Sequence, residues 1–267
     1  MRLTVLASGS SGNALLVDAG HTRLLIDAGL GPRLLARRLR ASGAGVTLDM
    51  IGDALITHEH ADHVHGARAL LDAGLRVHAT AGTASAANLP RVHQLAGGAR
   101  VVIGGLEVAA FTLPHDAAEP IGFVIGDGQA RIGVLTDCGF VAPGLADAFG
   151  GCDLLVLEAN HDPTMLHSGP YPAFLKRRIA SPLGHLANEQ AADLLLAMGE
   201  RAPRVVVLGH MSRTNNRPAL ARAAAERAFS LLAGRRTILV AEQGRALPPV
   251  EVGAAAGQLS LALGARP

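Results

Sequence analysis

The 267-residue chain reads as a single α/β domain. Three observations predict this. Short apolar runs separated by Gly, Ser and Asn crowd the first sixty residues, as strands do; later residues alternate between strand-like and helix-like patterns; and no Pro/Ser-rich linker divides them. With 49% hydrophobic residues the chain can bury a sizeable core, which excludes a disordered or fibrous protein.

In order, Leu3–Ala7, Ala14–Val17 and Leu24–Ile26 are expected strands, the last two divided by the turn cluster Asp18-Ala19-Gly20-His21. Gly31-Pro32 opens an amphipathic helix with Leu34, Leu35 and Leu39 on one face and arginines largely on the other. Ala54–Thr57 reads as a buried strand, and after a His-rich segment one helix is expected through about Ala73. Strands follow at Arg76–Ala79, Arg100–Ile103, Leu106–Phe111, Ile121–Ile125 and Ala130–Leu135. A helix over Val141–Phe149 leads to a strand at Asp153–Leu157. Helices are expected at Tyr171–Ile179, Asn188–Met198 and Pro218–Leu232, with strands at Arg204–Leu208 and Thr237–Val240. The domain therefore spans residues 1–246, and the Pro, Gly and Ala content of residues 247–267 reads as a loosely ordered tail.

Composition narrows the function. A net charge of +2 sets up no global field for nucleic acid, so any such binding must come from a local patch. All but one of the 24 basic residues are Arg, the exception being Lys176. The two cysteines, Cys138 and Cys152, have neither disulfide-framework nor zinc-ribbon spacing, and their scarcity fits a reducing cytosol. The N-terminus runs directly into a strand, and no apolar run approaches ~20 residues. A cytoplasmic protein with no membrane association is expected. Against one Tyr and no Trp stand 12 His, and imidazole is the commonest metal ligand.

Thr57-His58-Glu59-His60-Ala61-Asp62-His63 follows an apolar strand directly. In an extended segment His58 and His60 point the same way, while Asp62 and His63 open the next helix and can turn toward the same point; Asp62 is also a natural N-cap. Without a metal such a cluster would crowd repelling cations or unsatisfied donors. Three further ligand-type residues end predicted apolar strands: His115, Asp137 and His210. Open α/β sheets gather their sites at such strand ends.

The order His-x-His-x-Asp-His, then a lone His, Asp and His, resembles the metallo-β-lactamase-fold binuclear hydrolases over roughly residues 1–245. Ser8-Gly9-Ser10-Ser11-Gly12-Asn13, Pro114–Pro120, Glu158-Ala159-Asn160-His161-Asp162 and Gly184-His185-Leu186-Ala187-Asn188 are similar to the bacterial YycJ/WalJ-type, exonuclease-like branch. The resemblance implies an αββα four-layer sandwich. It implies one ion on His58, His60 and His115, another on Asp62, His63 and His210, and Asp137 bridging them. Two divalent cations, Zn²⁺ or Mn²⁺ with Fe as a further option, suit this O/N set. Asp62 would orient the attacking water or accept its proton. Asp27 either forms a plain turn or, as the resemblance implies, orients a ligand His from behind.

The resemblance also implies a metal-dependent phosphodiesterase acting on nucleic acid, with DNA favoured and a 5′-exonuclease-like action. A carboxylate at the bridging position suits phosphate chemistry, whereas a β-lactamase usually has Cys there; Cys138, one residue on, would face the core. Ser8, Ser10, Ser11 and Asn13 could present amides and hydroxyls to an anion or form a simple Gly/Ser turn. His185 matches a position for donating a proton to the leaving oxygen; the alternative is a solvent-exposed loop His. Asn160, His161, Ser212, Arg213, Asn215 and Asn216 would line the same cleft, with Arg213 and Arg217 gripping phosphates and Arg177 and Arg178 extending the track. Ala61, Ala187, Arg213 and Thr214 depart from the branch pattern but are not ligands. Two other readings are a small-molecule (cyclic) phosphodiesterase or small-ester hydrolase on the same fold, and a non-enzymatic metal-bound scaffold. The intact ligand set argues against the scaffold.

Overall fold

Period-two alternation puts apolar residues on both faces of the early strands. The computed structural model describes residues 1–253. In β1 (Arg2–Ala7), β2 (Ala14–Asp18) and β3 (Arg23–Ile26), residues Leu3, Val5, Leu15, Val17, Leu24 and Ile26 face one apolar layer. Leu6, Leu16 and Leu25 face another. Both faces are buried, so these strands form an inner layer of the molecule.

The remaining elements are α1 (Pro32–Ser42), β4 (Asp53–Leu55), α2 (Ala61–Val64), α3 (Ala67–Asp72), β5 (Arg76–Thr80), α4 (Ala81–Ala86) and β6 (His93–Leu95). Then come β7 (Arg100–Ile103), β8 (Leu106–Thr112), β9 (Ile121–Gly126), β10 (Arg131–Leu135), α5 (Leu145–Phe149), β11 (Leu154–Glu158), α6 (Pro163–Ser168) and α7 (Ala173–Ile179). The last are α8 (Asn188–Met198), β12 (Val205–Gly209), α9 (Pro218–Ser230), β13 (Thr237–Val240) and β14 (Val250–Glu251). They build two seven-stranded mixed sheets, ordered β14-β1-β2-β3-β4-β5-β6 and β13-β12-β11-β10-β9-β8-β7. Side chains from both sheets, Phe123, Ile132, Val156 and Val207 among them, fill the layer between. The outer face of the first sheet packs on α1 and α3, that of the second on α5, α8 and α9. This is the αββα sandwich. Strands β3 to β6 run parallel to one another, as do β10 to β13. Among the described residues no helix is long and apolar enough to cross a membrane.

Several expected boundaries shift for local reasons. The helix expected to run through Ala73 breaks into α2 and α3 at Gly66, whose N–H donates to Ala28 O (2.7 Å) and whose Cβ position would lie 2.1 Å from Leu30 O. Pro143-Gly144 delays the helix expected from Val141 until Leu145, with Gly144 at φ +88°. Pro172 likewise delays α7 to Ala173. The domain boundary at 246 also needs correction. Val250–Glu251 pair antiparallel with Leu3–Arg2, Leu247 N donates to Val5 O (2.9 Å), and Val250 and Val252 are buried in the inter-sheet core. The rest of the expected tail, from 254, lies outside the described residues.

Candidate metal centre

Six apolar segments stop on polar residues at one rim of the sandwich. Asp27 follows β3, Thr57–His63 follow β4, His115 follows β8, Asp137 follows β10, Glu158 ends β11 and His210 follows β12. Asp27, Asp137 and His210 take left-handed backbone (φ 59°, 58° and 52°). That conformation is uncommon outside glycine, although Asp and His tolerate it better than most, and it costs of order 1–3 kcal/mol. Three such residues at one rim are what a site that depends on side-chain direction requires.

The rim brings together all seven residues expected as ligands. Donor atoms of His58, His60 and His115 lie within 4.8 Å of one another, and so do those of Asp62, His63 and His210. His115 Nε2 approaches His60 Nδ1 at 3.3 Å, and Asp62 Oδ2 lies 3.4 and 3.5 Å from Nε2 of His210 and His63. Asp137 stands between the two sets, Oδ2 3.2 Å from His63 Nε2 and Oδ1 3.7 Å from His115 Nε2.

Hydrogen bonds behind the imidazoles fix which nitrogen faces the cluster. His115 Nδ1 donates to Gly184 O (2.9 Å), His63 Nδ1 to Asp27 Oδ2 (2.7 Å) and His210 Nδ1 to Glu158 Oε1 (2.8 Å). Each acceptor is a carbonyl or carboxylate, so each Nδ1 carries a proton and each Nε2 turns inward, the atom whose lone pair a cation would take once any proton there is displaced. Asp27 also accepts from Thr57 N and Oγ1 (2.8 and 2.9 Å), and Thr57 Oγ1 contacts His58 Nδ1 (3.0 Å). His58 Nε2 and Asp137 Oδ2 are buried with no hydrogen-bond partner. Orphaned buried atoms of this kind are costly unless a cation joins them, so the residues present fit a metal centre.

The electrostatics agree. Burial pushes His63 down, but the carboxylates of Asp137 and Asp27 outweigh it and hold the ring well above its ordinary pKa. Burial is likewise overridden at His210, which Asp137, Asp62 and Glu158 raise to about 10. Burial and the charge of His63 keep His58 well below the imidazole range. Asp62 and Asp137 stay well below the carboxylate range because neighbouring imidazoles overcome desolvation. Protons thus occupy the places that a divalent ion's charge would fill.

Sequence reasoning missed Glu158 as a functional residue. It is fully buried, accepts from both His185 Nδ1 (2.9 Å) and His210 Nδ1 through Oε1, and takes the amides of Cys138 and Leu186 (3.0 Å each) through Oε2. Burial raises its pKa, yet His185 and these bonds bring it down to about 2. Asp137, Glu158, His185 and His210 also lie close enough to form a ligand group. Because both Glu158 oxygens are engaged by donors, we assign it as the support that orients the two histidines. The signal was available, since β11 is an apolar strand ending on a carboxylate, as β10 and β12 lead into Asp137 and His210.

A cavity of about 240 Å³ opens over the cluster, walled on the far side by Tyr171 and by Leu175, Arg178 and Ile179 of α7. His185, Ser10, Asn160 and Ser212 line it. The other residues expected as substrate contacts sit differently. Ser8 is buried, its Oγ accepting His210 N (2.8 Å). Asn13 is buried, with Nδ2 2.9 Å from His63 Nε2 and 3.2 Å from Asp62 Oδ2. Asn216 bonds Asn188 and Ala159 O, and Asn215 is fully buried in the same loop. His161 is buried, which lowers its pKa to about 4. None of these five lines the cavity, and Ser8, Asn13 and Asn216 brace the rim through the contacts just given. Ser11 is exposed and touches Gln243 (3.5 Å), and Arg213 is exposed beside Gly244. Cys138 is buried in the outer core of the second sheet, where burial pushes its thiol up to about 12. A larger groove of about 970 Å³ lies at the opposite strand ends, flanked by Arg204 and Thr237. Among the described residues it holds no metal-ligand cluster.

A two-sheet sandwich with a His/Asp cluster at one rim defines a metallohydrolase class, and known proteins locate the chain within it. Residues 22–211 match the beta-lactamase superfamily domain. The chain is 34% identical over 230 residues to a Bacillus anthracis protein called exodeoxyribonuclease YycJ, a match covering 83% of this chain and 86% of that one. It is 34% identical over 227 residues to exodeoxyribonuclease WalJ of Streptococcus pneumoniae, covering 80% and 83%. The fold is similar to that of the metallo-beta-lactamase fold protein YhfI from Bacillus subtilis (TM-score 0.71, 16% identity, 92% of this chain and 98% of that one). The chain belongs to the beta-lactamase superfamily and, within it, to the group containing these YycJ and WalJ relatives.

Proposed function

We propose that the chain is a metal-dependent phosphodiesterase acting on DNA as an exonuclease. The observation that carries the reading is the donor set itself, with inward Nε2 atoms on both sides of the Asp137 carboxylate. The two relatives named as exodeoxyribonucleases support DNA as substrate. In this reading His58, His60 and His115 hold one divalent ion, Asp62, His63 and His210 a second, and Asp137 is shared. The set suits Zn²⁺ or Mn²⁺, with Fe also compatible. When bound, such ions polarise the phosphate and activate water for in-line displacement.

The chain's own residues supply orientation and proton handling. Asp62 lines the cavity and stays ionised, so it orients the attacking water. His185 also lines the cavity. Burial opposes its charge, but Glu158 and Asp137 outweigh it and raise its pKa above the ordinary imidazole value, which favours the protonated ring. With Nδ1 donating to Glu158, its Nε2 is the group that protonates the leaving oxygen. Two buried, unpaired cysteines fit a cytosolic setting.

The test is hydrolysis by the purified protein with Mn²⁺ of end-labelled duplex DNA, RNA and bis(p-nitrophenyl) phosphate. Stepwise loss of nucleotides from DNA is expected. His58→Ala and Asp137→Ala should lose bound metal and all hydrolysis while remaining folded. Cleavage confined to the small diester would favour the small-molecule reading, to which the narrow cavity is suited, and full activity without metal would overturn both.

A further inference from the structure

Arg178 is the only Arg or Lys on the cavity wall among the described residues. Its neighbours on α7 point elsewhere: Lys176 Nζ donates to His167 O (2.7 Å), and Arg177 lies outside the lining. Arg178 Nε donates to Asp116 Oδ2 (2.6 Å), while its two Nη groups donate to no protein atom among the described residues. The backbone of Asp116 is anchored, its amide donating to Leu183 O (3.0 Å), and its Oδ1 lies 3.5 Å from His115 Nε2. The guanidinium is therefore held by one edge and presents a free fork at the mouth of the cavity, although its side chain is 58% exposed and has no packing reason to stay there.

Position adds the second constraint. Two short contacts, through Asp116, separate Arg178 from the metal-ligand set. A phosphate bound at the cluster would leave the fork on the same cavity wall to meet a further phosphate of the same strand. Helix α7 contributes Leu175, Arg178 and Ile179 to the wall on this side, a place better suited to a strand end than to a strand running on past it. A terminal phosphomonoester carries more charge than an internal diester and offers the planar fork more oxygens.

We propose that Arg178 binds a terminal phosphomonoester on the strand being cut, and so makes the site selective for phosphorylated strand ends. The inference rests on the nuclease reading above. It is tested by measuring kcat and KM with Mn²⁺ on otherwise identical DNA strands ending in 5′-phosphate, 5′-hydroxyl, 3′-phosphate or 3′-hydroxyl. The wild type and the Arg178→Gln and Arg178→Lys variants are compared, with metal content determined for each. The wild type should favour one phosphorylated end at least about tenfold over its hydroxyl counterpart, as loss of a charge-assisted pair predicts. The favoured end identifies the polarity. Arg178→Gln should bring that ratio close to one through a higher KM for the phosphorylated strand with full metal content, and Arg178→Lys should restore part of it. A mere latch between α7 and the Asp116 loop would affect both ends equally and leave the ratio intact. DNA cleavage without end preference, or an unchanged ratio in Arg178→Gln, overturns this inference alone. Absence of cleavage on every DNA strand overturns the nuclease reading with it.

Discussion

Glu158 holds the Nδ1 atoms of His185 and His210 with one oxygen and two backbone amides with the other, so its loss frees two imidazoles and leaves buried donors unsatisfied. Glu158→Gln, with only one acceptor oxygen, is expected to weaken metal affinity about 10–100-fold while the protein stays folded, measured by competition against a zinc chelator. Metal binding should also depend on pH. Without metal, His210 keeps its proton up to about pH 10 and His63 is raised in the same sense. An ion loading at neutral pH must expel these protons, so affinity rises with pH. Calorimetry in buffers of different ionisation enthalpy should show proton release, and affinity independent of pH between 6 and 9 would contradict it. The seven ligand-type residues were legible because each stands where an apolar run stops on a metal-binding side chain. Glu158 carries the same signature. What it lacks in the sequence is any mark that its oxygens are used up by histidines arriving from elsewhere. Ser8, Asn13 and Asn216 show the converse difficulty: a polar loop residue near a site can face the cavity or brace the backbone behind it, and only the fold decides.

At the level of elements, the loops at the rim depend on close backbone contact. Gly29 N donates to Asn13 O (2.9 Å) and Asn13 N to Asp62 O (2.7 Å), and a Cβ on Gly29 would lie 1.7 Å from Asp62 O. Gly29→Ala should therefore push the Asp62 turn outward, lower thermal stability by the equivalent of about 1–3 kcal/mol and reduce bound metal per chain. Normal metal content in this variant would show that the turn can relax without loss. Long elements with strong periodicity were legible, as in α1, α8 and β10 to β12. The short ones were not: α4 spans Ala81–Ala86 and β6 only His93–Leu95, and neither has room for a repeating pattern. The break at Gly66 was hidden for another reason, because the contact that requires it comes from Leu30, far away in the chain.

For the whole molecule, the layered sandwich was legible through the resemblance that the ligand motifs carry, but the sequence did not reveal that the chain returns to its own beginning. β14 covers the edge of β1, and Val250 and Val252 join the layer between the sheets. Truncation after Ala246 should lower Tm by roughly 5–15 °C, from the apolar area uncovered. Val250→Asp should do so in part, and an unchanged melting curve in both would show that the edge strand is dispensable. The seven ligand-type residues divide between the layers. His58, His60, Asp62 and His63 extend from the first sheet, whereas His115, Asp137 and His210 extend from the second. Metal held by both sets would act as a clasp across the seam, so chelation should loosen one whole end of the sandwich as well as the site. A fragment ending before β7 would keep four donors without the shared carboxylate, and its complement would keep three with nothing to share them. In the reading proposed above, catalytic competence would thus belong to the junction of the two halves, and neither half could supply it alone.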